Sequence, residues 1–233
     1  MLVDDTGALP LPWLAEPLAR AAALGRAHAL LASGPAGVGQ LEFGLVLAQG
    51  WLCEQPGTTG RACGRCASCH LVRQRSHPDL MILVPDALRV ALGWVGDDET
   101  TGKSEAKPSK EIRIEAMRRA IDWAHRTAGR GHGKALVLHP ADAMNLTTAN
   151  ALLKTLEEPP GDLRIVLTTA DPERLLPTVR SRCQRVALPQ PTPEAARAWL
   201  DRHGVADAPA LLAAAAGSPL EARALAADGV NAA

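Results

Sequence analysis

His28-Ala29-Leu30-Leu31-Ala32-Ser33-Gly34-Pro35-Ala36-Gly37-Val38-Gly39-Gln40-Leu41 decides how the rest of this 233-residue sequence is read. A short apolar run meets a glycine-rich turn, and a helical pattern follows from about Leu41 to Leu52. The glycines have the spacing of G-x-x-x-x-G-K-[ST], a loop whose backbone amides cradle phosphate at a helix N-terminus. In a working loop a Lys neutralises the β and γ oxygens and a hydroxyl holds Mg²⁺. Gln40 and Leu41 occupy those two places here. Gly34, Gly37, Gly39, Gln40 and Leu41 therefore read as a degenerate phosphate loop, with the frame but without the charge. A glycine-rich strand-to-helix turn that never held nucleotide would account for the glycines alone. The position between a strand and a helix favours the degenerate loop.

Working outward, further apolar runs lie at Leu80-Met81-Ile82-Leu83-Val84-Pro85, Lys134-Ala135-Leu136-Val137-Leu138-His139, Leu163-Arg164-Ile165-Val166-Leu167-Thr168-Thr169 and Arg185-Val186-Ala187-Leu188. Helical patterns separate them. One carries Ile112, Ile114, Met117, Ala120, Ile121 and Ala124 with Arg113, Arg118, Arg119 and Arg126 among them, and another runs through Asn150-Ala151-Leu152-Leu153-Lys154-Thr155-Leu156-Glu157-Glu158 until Pro159-Pro160 stops it. Repeated β-α units predict an α/β fold with a mainly parallel sheet flanked by helices, the glycine turn lying at the carboxyl end of its strand. The polar stretch from about Gly93 to Lys110 reads as a loop, and Gly102-Lys103-Ser104 within it as a decoy, since no apolar strand or glycine precedes it at the required spacing. Beyond Pro189-Pro191 the composition turns to Ala-rich helices that start at Thr192-Pro193 and Ser218-Pro219. The expected organisation is a nucleotide-binding-like domain over 1–189, with a Cys-rich module inserted at about 53–69, and a small helical domain over 190–233.

Two further clusters bear on chemistry. An ATPase needs a carboxylate at the end of a hydrophobic strand to hold Mg²⁺, but His139-Pro140 follows Leu138, and Asp142 reads as the cap of the next helix. Cys53, Cys63, Cys66 and Cys69 form C-x9-C-x2-C-x2-C, which predicts four thiolate ligands of a structural zinc ion, with His70 as an alternative ligand. Arg61, Arg65, Arg73 and Arg75 make this module locally basic, a solvated rim more readily than a DNA contact. Arg182, in Ser181-Arg182-Cys183, has two readings. It is a helix-end Arg paired with a surface carboxylate, or a guanidinium that reaches a neighbour's triphosphate.

Composition bounds the partners. With 25 Lys and Arg against 25 Asp and Glu, no whole-protein field draws in nucleic acid or an anionic membrane. One Phe, five Trp and no Tyr argue against a surface that stacks bases on rings. Alanine supplies 43 of the apolar residues, in keeping with a helix-rich globular protein. Apolar stretches are cut by Gly and Pro short of the ~20 residues a bilayer needs, so the expectation is a soluble, cytoplasmic protein.

The degenerate loop followed by a four-Cys insertion, the stretch from Asn150 to Pro160, and Ser181-Arg182-Cys183 together resemble the bacterial clamp-loader subunits of DNA polymerase III. The resemblance covers essentially the whole sequence. It implies an AAA+ fold, a zinc module, a helical lid, and assembly with gamma/tau and delta subunits into the machine that loads the sliding clamp onto primed DNA. Gln40, Leu41, His139, Pro140 and Leu220 stand where the ATPases of this family carry their Lys, Ser or Thr, two acids and sensing Arg. These losses imply a stator with no ATPase of its own inside the polymerase holoenzyme, with ATP binding doubtful. Thr168 or Thr169 falls at the first sensor position, with Thr169 the preferred assignment, and Arg182 matches the Arg offered in trans to an adjacent ATPase. The family continues into a helical collar that is absent up to Ala233. The competing readings are an active gamma/tau-like ATPase and a zinc-ribbon DNA-binding module.

Overall fold

A computed structural model describes residues 2–25, 27–94 and 107–229. Among the described residues five strands form one sheet: β1 (Ala29–Ser33), β2 (Leu80–Leu83), β3 (Lys134–Leu138), β4 (Leu163–Thr169) and β5 (Gln184–Ala187). All pairings are parallel and the order is β2-β3-β4-β1-β5. Parallel strands bury both faces, which explains why these segments read as unbroken apolar runs rather than alternating ones. Leu30, Ala32, Ala135, Val137 and Val166 enter one buried cluster, whereas Ala29, Leu31, Leu136, Leu138, Ile165 and Leu167 enter another on the opposite face.

The helices are α1 (Ala15–Ala23), α2 (Gln40–Leu52), α3 (Ala67–Arg73), α4 (Asp86–Ala91), α5 (Ile114–Ala124), α6 (Leu146–Glu157), α7 (Pro177–Arg180), α8 (Pro193–Arg202), α9 (Ala208–Ala214) and α10 (Pro219–Ala227). α2 buries every residue except Trp51, so its sequence is apolar on all sides but for the buried Gln40, Glu42 and Gln49. Gly44 lets it approach the sheet, since a Cβ there would meet Val137 Cγ1 at 3.0 Å and Thr168 Cγ2 at 3.2 Å. Met117, Ala120 and Ala124 of α5 and Leu152 and Leu156 of α6 pack on the other face.

Residues Trp199, Leu200, Leu211 and Ala222 of the C-terminal helices share a buried cluster with Leu11 and Leu14 near the N-terminus and with strand residues. Trp199 Nε1 donates to the Pro10 carbonyl at 2.9 Å, and its ring meets Trp13 edge-on at 5.7 Å. An N-terminal strap thus lies between the sheet layer and the terminal helices. The loop expected around 93–110 falls largely, and Gly102-Lys103-Ser104 entirely, outside the described residues. Among the described residues no helix is long and apolar enough to cross a membrane.

Candidate functional site

The glycine loop leaves the carboxyl end of β1 and enters α2, at the point where β5 lies to one side of β1 and β4 to the other. Gly37 (φ +73°) and Gly39 (φ +101°) adopt left-handed conformations, so the glycine pattern answers a backbone demand. A Cβ on Gly34 would lie 2.0 Å from the Leu188 carbonyl oxygen. The chemistry has turned inward. Gln40, 5% exposed, folds back to donate to the Gly34 carbonyl at 2.8 Å and to the Pro35 carbonyl. Leu41 is buried and brings no hydroxyl.

Other elements take up the rest of the loop. Ser218 donates to the Ala36 carbonyl at 2.5 Å, the Leu220 amide to Gly37 at 3.2 Å, and Trp13 Nε1 to Val38 at 2.8 Å. Each carbonyl from Gly34 to Val38 therefore has a protein donor. A Cβ on Gly37 would meet Glu221 Cγ at 2.8 Å and Ser218 Cβ at 2.9 Å, and one on Gly39 would meet Leu11 at 2.2 Å. The start of α10 and the strap at Leu11 lie directly on the loop, and Glu221 adds a carboxylate where a phosphate would need positive charge. Sequence spacing identified the loop but not these covering residues. Ser218 precedes Pro219 like an ordinary N-cap, yet its hydroxyl makes no cap hydrogen bond and serves the loop instead.

At the neighbouring strand ends, His139 Nδ1 pairs with Thr168 Oγ1 at 2.9 Å. The Thr168 hydroxyl donates to the Leu138 carbonyl at 3.3 Å, so the network assigns the His139 proton to Nδ1. Burial lowers the His139 pKa to about 4, which keeps the ring neutral. Thr169 donates to the Asp142 carboxylate and accepts from the Asp171 amide at 3.0 Å. Asp142 does not cap the next helix. Asn145 does, accepting from the Thr148 amide at 3.0 Å, while Asp142 turns back to Thr169 and to Arg174 at 3.5 Å. A short side chain four residues past a strand reaches the strand end as readily as a helix start, and the adjacent strand's Thr decides which.

His139 makes stability depend on pH. As pH falls, the unfolded chain takes up the His139 proton near 6.5 and the folded chain only near 4. Stability from this group is therefore fully present above pH 6.5 and is lost as pH falls toward 4, by about 3 kcal/mol in all. His139→Gln should flatten that slope in urea unfolding between pH 7 and 4.5, and an unchanged slope would exclude His139 as its source.

Cys53 ends α2, Cys63 lies in the following loop, Cys66 is the N-cap of α3, and Cys69 sits in that helix. Their four sulfurs lie within 4.8 Å of one another, with Cys53 and Cys66 Sγ at 3.9 Å. Tetrahedral zinc–thiolate geometry places sulfurs about 3.8 Å apart. Backbone amides of Cys63, Cys66 and Cys69 donate to the sulfurs of Cys53 (3.2 Å), Cys63 (3.3 Å) and Cys66 (3.4 Å), a donor set suited to spreading thiolate charge. Burial raises the Cys53 and Cys69 thiols; at Cys63 burial is outweighed by the Arg65 and Cys66 amides, and the thiol falls to about 7. The quartet could hold a metal ion such as zinc. His70 lies outside it, exposed and paired with Arg73 at 2.8 Å.

The module is tied down in ways that spacing does not reveal. Val3 is buried among Val46, Cys53, Ala62 and Cys69, and its backbone exchanges hydrogen bonds with Gln49. Gly64 passes so near the Asp4 carbonyl that a Cβ would lie 1.7 Å from it. Glu54 pairs with Arg130, whose Nε donates to Ser68 at 3.1 Å and whose amide donates to Asp79 at 2.9 Å. Arg73 pairs with Asp5, which leaves Arg61, Arg65 and Arg75 as the exposed basic rim, Arg75 lying over the Trp94 ring at 5.0 Å.

Arg182 follows α7 and is one-third exposed. Its Nε donates to Glu157 Oε1 at 2.7 Å, NH2 reaches the same oxygen, and NH1 donates to the Thr178 carbonyl at 2.8 Å.

A glycine loop after β1 of a parallel sheet ordered β2-β3-β4-β1-β5, covered by a C-terminal helical segment, defines a parallel α/β fold of AAA+-like architecture. The solved DNA polymerase III gamma subunit-related protein of Thermotoga maritima shares this fold (TM-score 0.56, 22% identity, 90% of this chain and 57% of that one), as does Thermotoga maritima RuvB (0.51, 14%, 92% and 58%). A family model described as DNA polymerase III, delta subunit, matches residues 14–192, and the chain belongs to that family. Similar curated proteins are the DNA polymerase III subunit delta' of Pseudomonas aeruginosa, 39% identical over 210 residues (88% of this chain, 57% of that protein), and that of Escherichia coli K12, 35% over 221 residues (92% and 60%). The tau subunit of Salmonella typhimurium is 32% identical over 167 residues, covering 71% of this chain and 22% of that protein. The chain thus spans less than two thirds of the length of the curated relatives it matches.

Proposed function

We propose that the chain is a non-hydrolysing clamp-loader subunit of a bacterial DNA polymerase III, a cytoplasmic replication component that assembles with gamma/tau and delta subunits and helps place the sliding clamp on primed DNA. The observation that carries the stator reading is the glycine loop. Its Lys and hydroxyl positions are Gln40 and Leu41, its carbonyls are bonded within the protein, and Ser218, Leu220, Glu221 and Leu11 cover it. Such a loop has neither the charge nor the space that a triphosphate with Mg²⁺ requires. His139 and Pro140 stand in place of the missing acids, and the nearby Asp142 carboxylate is committed to Thr169 and Arg174.

Residues 1–189 then form the AAA+ domain and 190–233 the lid, and Arg182 is the guanidinium offered to the ATP of a neighbouring subunit. Thr169 keeps the first sensor position, its hydroxyl committed to Asp142. Zinc is the metal that Cys53, Cys63, Cys66 and Cys69 hold. Four thiolates leave no open position, so the ion supplies structural closure and does not activate water. The names of the similar delta' and tau proteins support the clamp-loader assignment.

The purified chain should neither hydrolyse ATP nor retain a fluorescently labelled ATP analogue in equilibrium titration. Gln40→Lys with Leu41→Thr should not restore binding, because α10 and the strap still cover the loop. Robust turnover by the purified chain would refute the stator reading in favour of a gamma/tau-like ATPase. Tight nucleotide binding by the double variant would show instead that the loop opens and that only its two charge-bearing positions were lost.

A further inference from the structure

We infer that Glu157 is a positioning residue that aims the Arg182 guanidinium at the neighbouring subunit's nucleotide. The inference rests on the trans role of Arg182 proposed above. It joins two sequence motifs that the function otherwise leaves separate, the helix ending Leu156-Glu157-Glu158-Pro159-Pro160 and Ser181-Arg182-Cys183.

Glu157 is the last residue of α6, which Pro159 and Pro160 prevent from continuing, so its carboxylate leaves a rigid helix end. Arg182 lies 25 residues further on, beyond β4 and α7. A guanidinium has five N–H donors in a fixed plane. Nε and NH2 turn one edge toward a single oxygen of Glu157, and NH1 gives one proton to the Thr178 carbonyl. One N–H on each terminal nitrogen is left, the pair a phosphate oxygen or two would accept. Arg182 and Glu157 side chains are 32% and 49% exposed, and an ion pair so placed adds little to stability. Its consequence is orientation: a long side chain with many rotamers is held in one before the partner arrives, which lowers the entropy lost on engagement.

Because both bonds to Glu157 end on one oxygen, an amide oxygen can replace it. In a complex of the full chain with its gamma/tau and delta partners, Glu157→Ala should lower the ATP turnover number by between about tenfold and a hundredfold with little change in KM. Glu157→Gln should recover most of that loss, and Arg182→Ala should be slower than either. In the chain alone, the Arg182 Nε–H signal should exchange slowly with solvent in the wild type and Glu157→Gln and rapidly in Glu157→Ala, with melting temperatures unchanged. Wild-type turnover in Glu157→Ala beside a slow Arg182→Ala would overturn the positioning role alone. Faster turnover in Glu157→Ala would do the same, marking the pair as a restraint on the arginine. Wild-type turnover in Arg182→Ala would remove the trans arginine and the positioning role with it.

Discussion

In a reassembled loader, Arg182→Ala is expected to slow ATP hydrolysis at the site bordering this chain by up to about 10³-fold, while the chain itself folds as before. The two halves of this expectation have different physical sources. A guanidinium aimed at a transferring phosphoryl group stabilises charge that is largest in the transition state, so its loss falls on turnover more than on ATP affinity. Within the chain, the substitution removes only a partly exposed ion pair with Glu157 and one hydrogen bond to Thr178, together within about 1 kcal/mol. Melting temperature and co-purification with the partner subunits should therefore be unchanged. Arg182→Lys should not restore the rate, because an ammonium cannot hold Glu157 along one edge and present a planar pair of donors on another. An assembled complex with unimpaired hydrolysis in both variants would leave Arg182 as a helix-end residue paired with a surface carboxylate.

The second large effect is expected on stability. Cys69 is fully buried, and its sulfur belongs to the quartet. Cys69→Ala, or treatment with a strong chelator, should release one equivalent of metal and destabilise the module. Structural zinc contributes an apparent ~10–16 kcal/mol in isolated zinc-finger peptides. The loss here should be smaller, because the sheet has its own buried clusters on both faces. It should also be local. The cluster around the cysteines consists of Val3, Val46, Ala62, Cys53 and Cys69 and has little apolar material to survive without the ion. Amides of residues 3–9 and 53–73 should lose hydrogen-exchange protection, whereas those of β3 and β4 keep it. Uniform protection before and after chelation would mean that the thiols hold the module together without a metal.

These effects differ in how far they could be anticipated. The parallel sheet was legible because each strand is a continuous apolar run bounded by glycine, proline or a helical period, and α2 because a helical pattern follows directly on the glycine turn. The expected last strand, at 185–188, lies one residue further along than β5 at Gln184–Ala187, a terminal shift of the kind a fraying edge strand produces. The starts of α8 and α10 were legible from Thr192-Pro193 and Ser218-Pro219, since a proline in the first turn is a local signal. α3 and α4 were not, because seven and six residues hold too few turns to show a period.

The sequence by itself determined the features that depend on neighbours a few residues apart. These are the glycine spacing with Gln40 and Leu41 in the place of charge, the four cysteines, and His139 and Pro140 in place of acids directly after β3. It did not reveal that Ser218 would bond to Ala36, 182 residues away, or that Leu11 and Trp13 would lie on the same loop from the other end of the chain. Nor did it show Glu54 with Arg130, Asp142 with Thr169, or Glu157 with Arg182. Asp142 and Thr169 meet because β3 and β4 end side by side, whereas Glu54 with Arg130 and Glu157 with Arg182 meet on the opposite edge of the parallel sheet, just before β3 and β5, and the terminal helices fold back over β1. Local pattern settles which groups are present, since hydrogen-bonding period and metal-ligand spacing act over short stretches of chain. Only tertiary packing settles which of those groups meet, and here it closes the glycine loop over itself while leaving Arg182 one-third exposed beside Glu157.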